Sequence, residues 1–285
     1  MRKNLLVAAI MCMMIFLQAE ASNKVIYGDD NRVDTYDSPN SMYRLLAEST
    51  AAMIPNKNLR EIDQGIIIGG SSLEDRGMCK SERFSQQLTA ANCSGFLVAD
   101  NLLVTAGHCM RSKRDCLGSK WVFDYKVQSE DQTWAMVEKT SVYSCVKVIQ
   151  SVLNNSTKDD WALIQLDRDV TDRQPLKYRT SGKVNLRAPL VVIGHPTGLP
   201  QKIADGANVR RHSSKYFTAN LDTYGGNSGS AVFNADTGEV EGILVRGATD
   251  YVYDSSQGCR VSNRLSNHGG RGEDVTYITN IPQLK

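Results

Sequence analysis

Apolar residues in this chain fall in short runs broken by glycine, proline, asparagine and aspartate, and no stretch sustains the repeat of an amphipathic helix. The clearest predicted strands are Trp121 to Val127, Val142 to Ile149, Trp161 to Leu166, Leu190 to Ile193, Ala231 to Phe233 and Val240 to Val245. Asp236-Thr237-Gly238 supplies the turn between the last two. Gly65 to Gly70 reads as a further, buried strand. The pattern predicts an all-β fold, with the polar stretch Asp167 to Pro175 as the one boundary between two units.

The first 21 residues follow a different logic. Arg2 and Lys3 precede an apolar run from Leu5 to Leu17, and Ala19-Glu20-Ala21 offers a small-x-small cleavage site, so residues 1–21 read as a secretory signal and the mature chain starts near Ser22. The run is shorter than the roughly 20 residues that span a bilayer. Met11 before Cys12 does not suit a lipoprotein cleavage site, so no membrane anchor is expected. Losing Arg2, Lys3 and Glu20 takes the net charge from +2 to +1, which offers no pull toward nucleic acid or an anionic membrane. Six of the seven cysteines remain, an even number that in an exported chain suggests three bridges among fifteen possible pairings. No Cys-x-x-Cys pair or close Cys/His cluster suggests zinc. Asp29-Asp30-Asn31 falls short of the roughly 6 to 8 oxygens that calcium takes, so no metal or other cofactor is expected.

Three segments carry candidate chemistry. Asp222-Thr-Tyr-Gly-Gly-Asn-Ser-Gly-Ser230 sets Ser228 among glycines, whose freedom at positive φ lets a backbone expose a hydroxyl beside the amides of Gly226 and Ser228. A plain glycine-serine turn has the same composition. Cys93 to Cys109 runs an apolar strand into a small-residue turn that presents His108. Asp159 and Asp160 stand immediately before the Trp161 strand, and Asp160, adjoining the apolar residues, is the better placed to be desolvated. The order His, Asp, Ser is that of one known triad of base, orienting acid and nucleophile. His195, His212 and His268 have no such context and read as structural or surface residues.

On Thr105-Ala-Gly-His-Cys, Asp160-Trp-Ala-Leu and Gly226-Asn-Ser-Gly-Ser, the chain resembles a trypsin/chymotrypsin-fold serine peptidase, nearer to the bacterial glutamyl-endopeptidase-like branch than to the pancreatic enzymes. Val25-Ile-Tyr-Gly-Asp-Asp-Asn-Arg32 resembles the mature amino terminus of that branch, which implies cleavage after Lys24. The resemblance implies two six-stranded antiparallel β-barrels of the chymotrypsin type with the active site in the crevice between them. Residues 22–172 would hold the first barrel with His108 and Asp160, and residues 173–285 the second with Ser228. It implies Ser228 as nucleophile, His108 as general base, Asp160 as its orienting acid, and an oxyanion hole from the amides of Gly226 and Ser228. It pairs Cys93 with Cys109; Cys116 with Cys145 is a guess from proximity in the first barrel, and Cys79 with Cys259 is the remainder.

The implied substrates are proteins or peptides, cleaved by a monomer that is secreted or periplasmic. Specificity stays open. Asp222 falls where trypsin-like enzymes place the carboxylate that binds Arg or Lys, and Thr223 matches a threonine of the glutamyl branch. Leu244 occupies the place of that branch's histidine, and Arg246 could supply the lost positive charge. The balance leans to cleavage after Arg or Lys, with glutamyl specificity as the alternative. Ile67-Ile-Gly-Gly70 looks like the freed terminus of trypsin, but Asn227 stands where the pancreatic switch needs an aspartate. A binding protein that keeps the fold without turnover is a further alternative. An α/β-hydrolase esterase would need its acid and base after the serine, whereas here both precede it.

Overall fold

The computed structural model describes residues 25–285, so the signal reading of residues 1–21 and the cleavage after Lys24 lie outside the described residues. Six strands form a closed antiparallel barrel: β2 (Thr50–Pro55), β3 (Cys93–Ala99), β4 (Leu102–Thr105), β5 (Ser119–Val122), β6 (Val142–Leu153) and β7 (Asp160–Leu166), in the order β5-β6-β7-β4-β3-β2. A second antiparallel barrel comprises β8 (Pro189–Gly194), β9 (Lys202–His212), β10 (Tyr216–Ala219), β11 (Ala231–Asn234), β12 (Val240–Arg246) and β13 (Glu273–Tyr277). Its order is β8-β11-β12-β13-β10-β9, and the pairing of β8 with β9 closes it. The expected fold, two six-stranded chymotrypsin-type barrels, is therefore the one observed.

The continuous apolar runs of the second half have a specific cause. In β8, Leu190 and Val192 pack inside the second barrel while Val191 and Ile193 join the core shared with the first barrel. In β11 and β12, Val232 and Leu244 point into the barrel, and Ala231, Phe233, Ile243 and Val245 point to the shared core. Successive strand residues face opposite sides, so a strand buried on both faces loses its polar alternation. Each such fully buried side chain of Val, Leu or Phe size contributes about 1.5 to 3 kcal/mol from apolar burial.

Two strand boundaries differ from the sequence pattern. The run from Trp121 leaves the sheet after Val122, because Asp124 takes a φ of 62° and accepts the Lys126 amide at 2.7 Å, although Phe123, Tyr125 and Val127 stay buried. Irregular register at Cys145/Lys147 and Val148/Gln150 lets β6 bend and continue to Leu153, past the predicted Ile149. The strand predicted at Gly65 to Gly70 spans Gly65–Ile68.

The amino-terminal segment belongs spatially to the second barrel. Ile26–Tyr27 pairs in parallel with Arg264–Leu265, and β1 (Arg32–Asp34) adds to β9. Three disulfides join Cys79 to Cys259, Cys93 to Cys109 and Cys116 to Cys145. The first spans 180 residues, so its removal frees the largest loop in the unfolded chain. Replacing Cys79 and Cys259 by serine should lower stability by about 3 to 5 kcal/mol, read as an earlier midpoint in reversible urea unfolding; an unchanged midpoint would show that this bridge does not restrain the unfolded ensemble.

Candidate active site

Adjacent strands deliver His108 and Asp160 to one place. β4 pairs with β7 so that Thr105 lies opposite Ala162, and the turn Gly107–Cys109 follows β4 at the end where Asp160 begins β7. Asp160 accepts the His108 backbone amide on Oδ1 at 3.0 Å and faces Nδ1 with Oδ2 at 2.9 Å. A carboxylate can only accept, so Nδ1 carries the hydrogen and Nε2 keeps the basic lone pair. The aspartate side chain is 2% exposed and the histidine 26%, which puts the acid in the wall and the imidazole at its surface. Asp159 turns the other way, accepting Asn280 Nδ2 at 2.8 Å.

The Ser228 loop is fastened to the strand that leads toward His108. Ser94, beside the Cys93 half of the Cys93–Cys109 bridge, donates its amide to the Ser228 carbonyl at 2.8 Å and its hydroxyl to the Gly226 carbonyl at 2.9 Å. Cys109 Sγ lies 3.8 Å from that Ser228 carbonyl oxygen, so the residue after His108 touches the backbone of the serine loop. Gly229 has φ +90°, and a Cβ there would stand 2.1 Å from the Ser94 carbonyl oxygen and 2.3 Å from Thr105 Oγ1. Gly226, also at +90°, would bring a Cβ to 2.5 Å from the His195 carbonyl oxygen. Both glycines are thus required by conformation and by close backbone approach. Asn227 is spent within the loop, its amide donating to the Tyr224 carbonyl and its side-chain oxygen accepting Ser230 Oγ.

The candidate specificity residues scatter. Asp222 accepts the Tyr27 amide at 2.7 Å and the Asn31 amide at 3.1 Å, so its carboxylate holds the amino-terminal segment. Burial pushes this carboxyl up to about 6, against the pull of those two amides. Thr223 donates to Glu273 Oε2 at 2.9 Å. Leu244 is buried in the second barrel's core, and its carbonyl accepts the Gly229 amide at 2.8 Å. Arg246 reaches Asp160 and Asp274 instead of the loop before Ser228. Sequence reasoning missed Ser94, Glu273 and Asp274. Glu273 and Asp274 open β13, but the residues that follow, Val275-Thr276-Tyr277, are only partly apolar, so the signal of an acid before an apolar run that singled out Asp160 is weak there.

His195 is fully buried, and burial drives its ring down to about 3, so it stays neutral; Nδ1 donates to the Leu199 carbonyl at 3.0 Å. His212 meets the Tyr277 hydroxyl at 2.7 Å, and His268 is exposed. Cys93, His108 and Cys109 bring one donor-type atom each within 4.8 Å of one another, but both sulfurs are tied in one disulfide and offer no thiolate to a metal.

Two closed six-stranded barrels, with a carboxylate-held imidazole on the first and a glycine-framed serine loop on the second, have the architecture of the chymotrypsin-like fold. The chain belongs to the family of the trypsin-like peptidase domain, whose sequence profile matches residues 93–243, more than half of its length. It is 27% identical over 198 residues to an extracellular metalloprotease of Bacillus subtilis, covering 66% of this chain and 60% of that protein. Its structure is similar to that of the VesB protease of Vibrio cholerae, with a TM-score of 0.52, 14% identity, and coverage of 88% of this chain and 64% of that one. A Glu endopeptidase solved in complex with MPD gives a TM-score of 0.46 at 17% identity, over 85% of this chain and 94% of that one. The chain thus spans less than two thirds of the Bacillus and Vibrio proteins.

Asp222 makes a sign-definite prediction. Its folded carboxyl titrates at about 6 against an ordinary 3.8, so the folded state holds the proton more tightly. Its contribution to stability is fully present below the ordinary value and falls by about 3 kcal/mol as pH rises through about 6. Urea unfolding between pH 4 and 7 should show this decline, and Asp222→Asn should flatten it; an identical slope in the variant would assign the decline to other groups.

Proposed function

We propose that this peptidase is an exported serine endopeptidase working through an acyl-enzyme at Ser228. In this reading Ser228 Oγ attacks the scissile carbonyl while His108 Nε2 takes its proton. The C–N bond then breaks as that proton passes to the leaving amine. Water, deprotonated by the same nitrogen, releases the acid and restores the serine. Asp160 fixes the ring and stabilises the imidazolium. The amides of Gly226 and Ser228 stabilise the tetrahedral oxyanion, each bond worth about 3 to 4 kcal/mol of barrier. The observation that carries the reading is the two-point hold of Asp160 on His108, at 3.0 and 2.9 Å, beside the loop that bears Ser228.

Export is supported by the three disulfides, which persist in oxidising compartments. Among the described residues no helix is long and apolar enough to cross a membrane. Peptide substrates follow from the family. For specificity we favour cleavage after Arg or Lys over Glu. Leu244 is packed in the core, Arg246 is held by two carboxylates and Thr223 is bonded to Glu273, so the positions that would receive an acidic side chain are engaged elsewhere. Asp222 is likewise engaged by two amides of the amino-terminal segment, so the lean rests on the missing acidic-side-chain contacts and not on Asp222.

The name of the Bacillus relative raises a metal-dependent mechanism as the second reading. An organophosphonate should label the protein stoichiometrically, Ser228→Ala should abolish both labelling and casein cleavage, and a chelator should leave casein cleavage unchanged. Labelling that persists in the variant would overturn the nucleophile, and loss of cleavage on chelation would favour the metal. A peptide-library digest read by mass spectrometry should place cuts after Arg and Lys; cuts confined to Glu would reverse the specificity assignment.

A further inference from the structure

We propose that Arg246 is a positioning residue that clamps the two barrels together at Asp160, an inference that rests on the triad reading above. Arg246 closes β12, where irregular register against β13 after Leu244 re-aims its side chain. Its Nε donates to Asp274 Oδ2 at 3.2 Å within the second barrel. Its two other nitrogens cross to the first barrel: Nη2 donates to the Lys158 carbonyl at 2.7 Å and Nη1 to Asp160 Oδ2 at 3.4 Å. That Oδ2 is the oxygen facing His108 Nδ1. Arg271 Nη2 in turn donates to Asp274 Oδ2 at 2.6 Å. Charges therefore alternate from a half-exposed Arg271 through buried Asp274, Arg246 and buried Asp160 to the imidazole.

The planar guanidinium presents fixed donors, so one side chain can hold a carboxylate of each barrel and a carbonyl at once. The residue that orients the imidazole comes from the first barrel and the serine from the second, and Arg246 ties the two at that oxygen. A carboxylate free to rotate would still bind the histidine, but it would present the ring at a shifted angle to Ser228. A displacement near 1 Å at such a site costs about a hundredfold in rate.

The test is steady-state kinetics of the full chain on peptides with Arg, Glu or Leu at the cleaved position. Arg246→Met should lower kcat about tenfold to a hundredfold on every substrate it cleaves, with KM held within about twofold. Arg246→Lys, which cannot reach all three partners, should recover part of the loss. An unchanged kcat in folded Arg246→Met, or a KM that rises for Glu peptides alone, overturns the clamp. Should that variant fail to fold, Asp274→Asn keeps the arginine but weakens one anchor: a lower kcat at constant KM supports the clamp and an unchanged kcat overturns it. Ser228→Ala measured alongside keeps the two claims apart. Full kcat in Arg246→Met with no turnover in Ser228→Ala removes the clamp alone, whereas turnover surviving in Ser228→Ala removes the triad and the clamp with it.

Discussion

Where Gly229 meets Ser94 and Thr105, the two barrels touch backbone to backbone, and the rest of the site depends on that contact. A side chain at 229 would collide with the Ser94 carbonyl and the Thr105 hydroxyl, and the φ of +90° excludes most residues in any case. With hydrogen in place of Cβ, Ser94 can bind the carbonyls on both sides of Asn227 and so set the serine loop against the turn that carries His108. The Cys93–Cys109 bridge closes the same short circuit covalently. Interbarrel geometry is thereby fixed by short, directional contacts at the seam, and the apolar core beneath supplies the bulk of the binding between the halves.

Charge is organised around the same seam. Asp159 and Asp160 are neighbours in sequence, yet Asp159, just before β7, accepts Asn280 of the carboxyl-terminal segment, and Asp160, the first residue of β7, holds the imidazole. Further out, residues 25–34 brace the stretch before Ser228. Asp222 accepts two amides of that segment, the buried Arg32 guanidinium lies 4.4 Å from the Tyr224 ring centroid, and Lys202 pairs with Asp34 at 2.5 Å. Buried pairs of this kind add little net stability, but leaving one partner unmatched costs about 3 to 5 kcal/mol. The loop that frames the serine is therefore built in part from the far amino-terminal end of the described chain.

Much of this was legible in the sequence for identifiable reasons. The short apolar runs gave the β class, and the three motifs around His108, Asp160 and Ser228 pointed to one resemblance that carried the barrel count. The break after Val122 was hidden, since Phe123, Tyr125 and Val127 keep a strand-like alternation while a positive φ at Asp124 turns the chain. The resemblance offers Asp222 as a pocket carboxylate and Arg246 as a replacement for the charge lost with Leu244, and neither position reports what the side chain binds. Their partners lie 191 to 195 and 28 to 88 residues away, and no local pattern reports such pairings. Ser94 was overlooked because its role is to bind backbone, for which a serine next to a cysteine leaves no signature.

The most direct test of the account is a crystal structure of the phosphonate-inhibited protein. The account predicts phosphorus bonded to Ser228 Oγ, the phosphoryl oxygen about 3 Å from the amides of Gly226 and Ser228, and His108 Nε2 within hydrogen-bond reach of the adduct. Phosphorus on any other residue, or a phosphoryl oxygen turned away from those amides with the His108 ring out of reach, would contradict it.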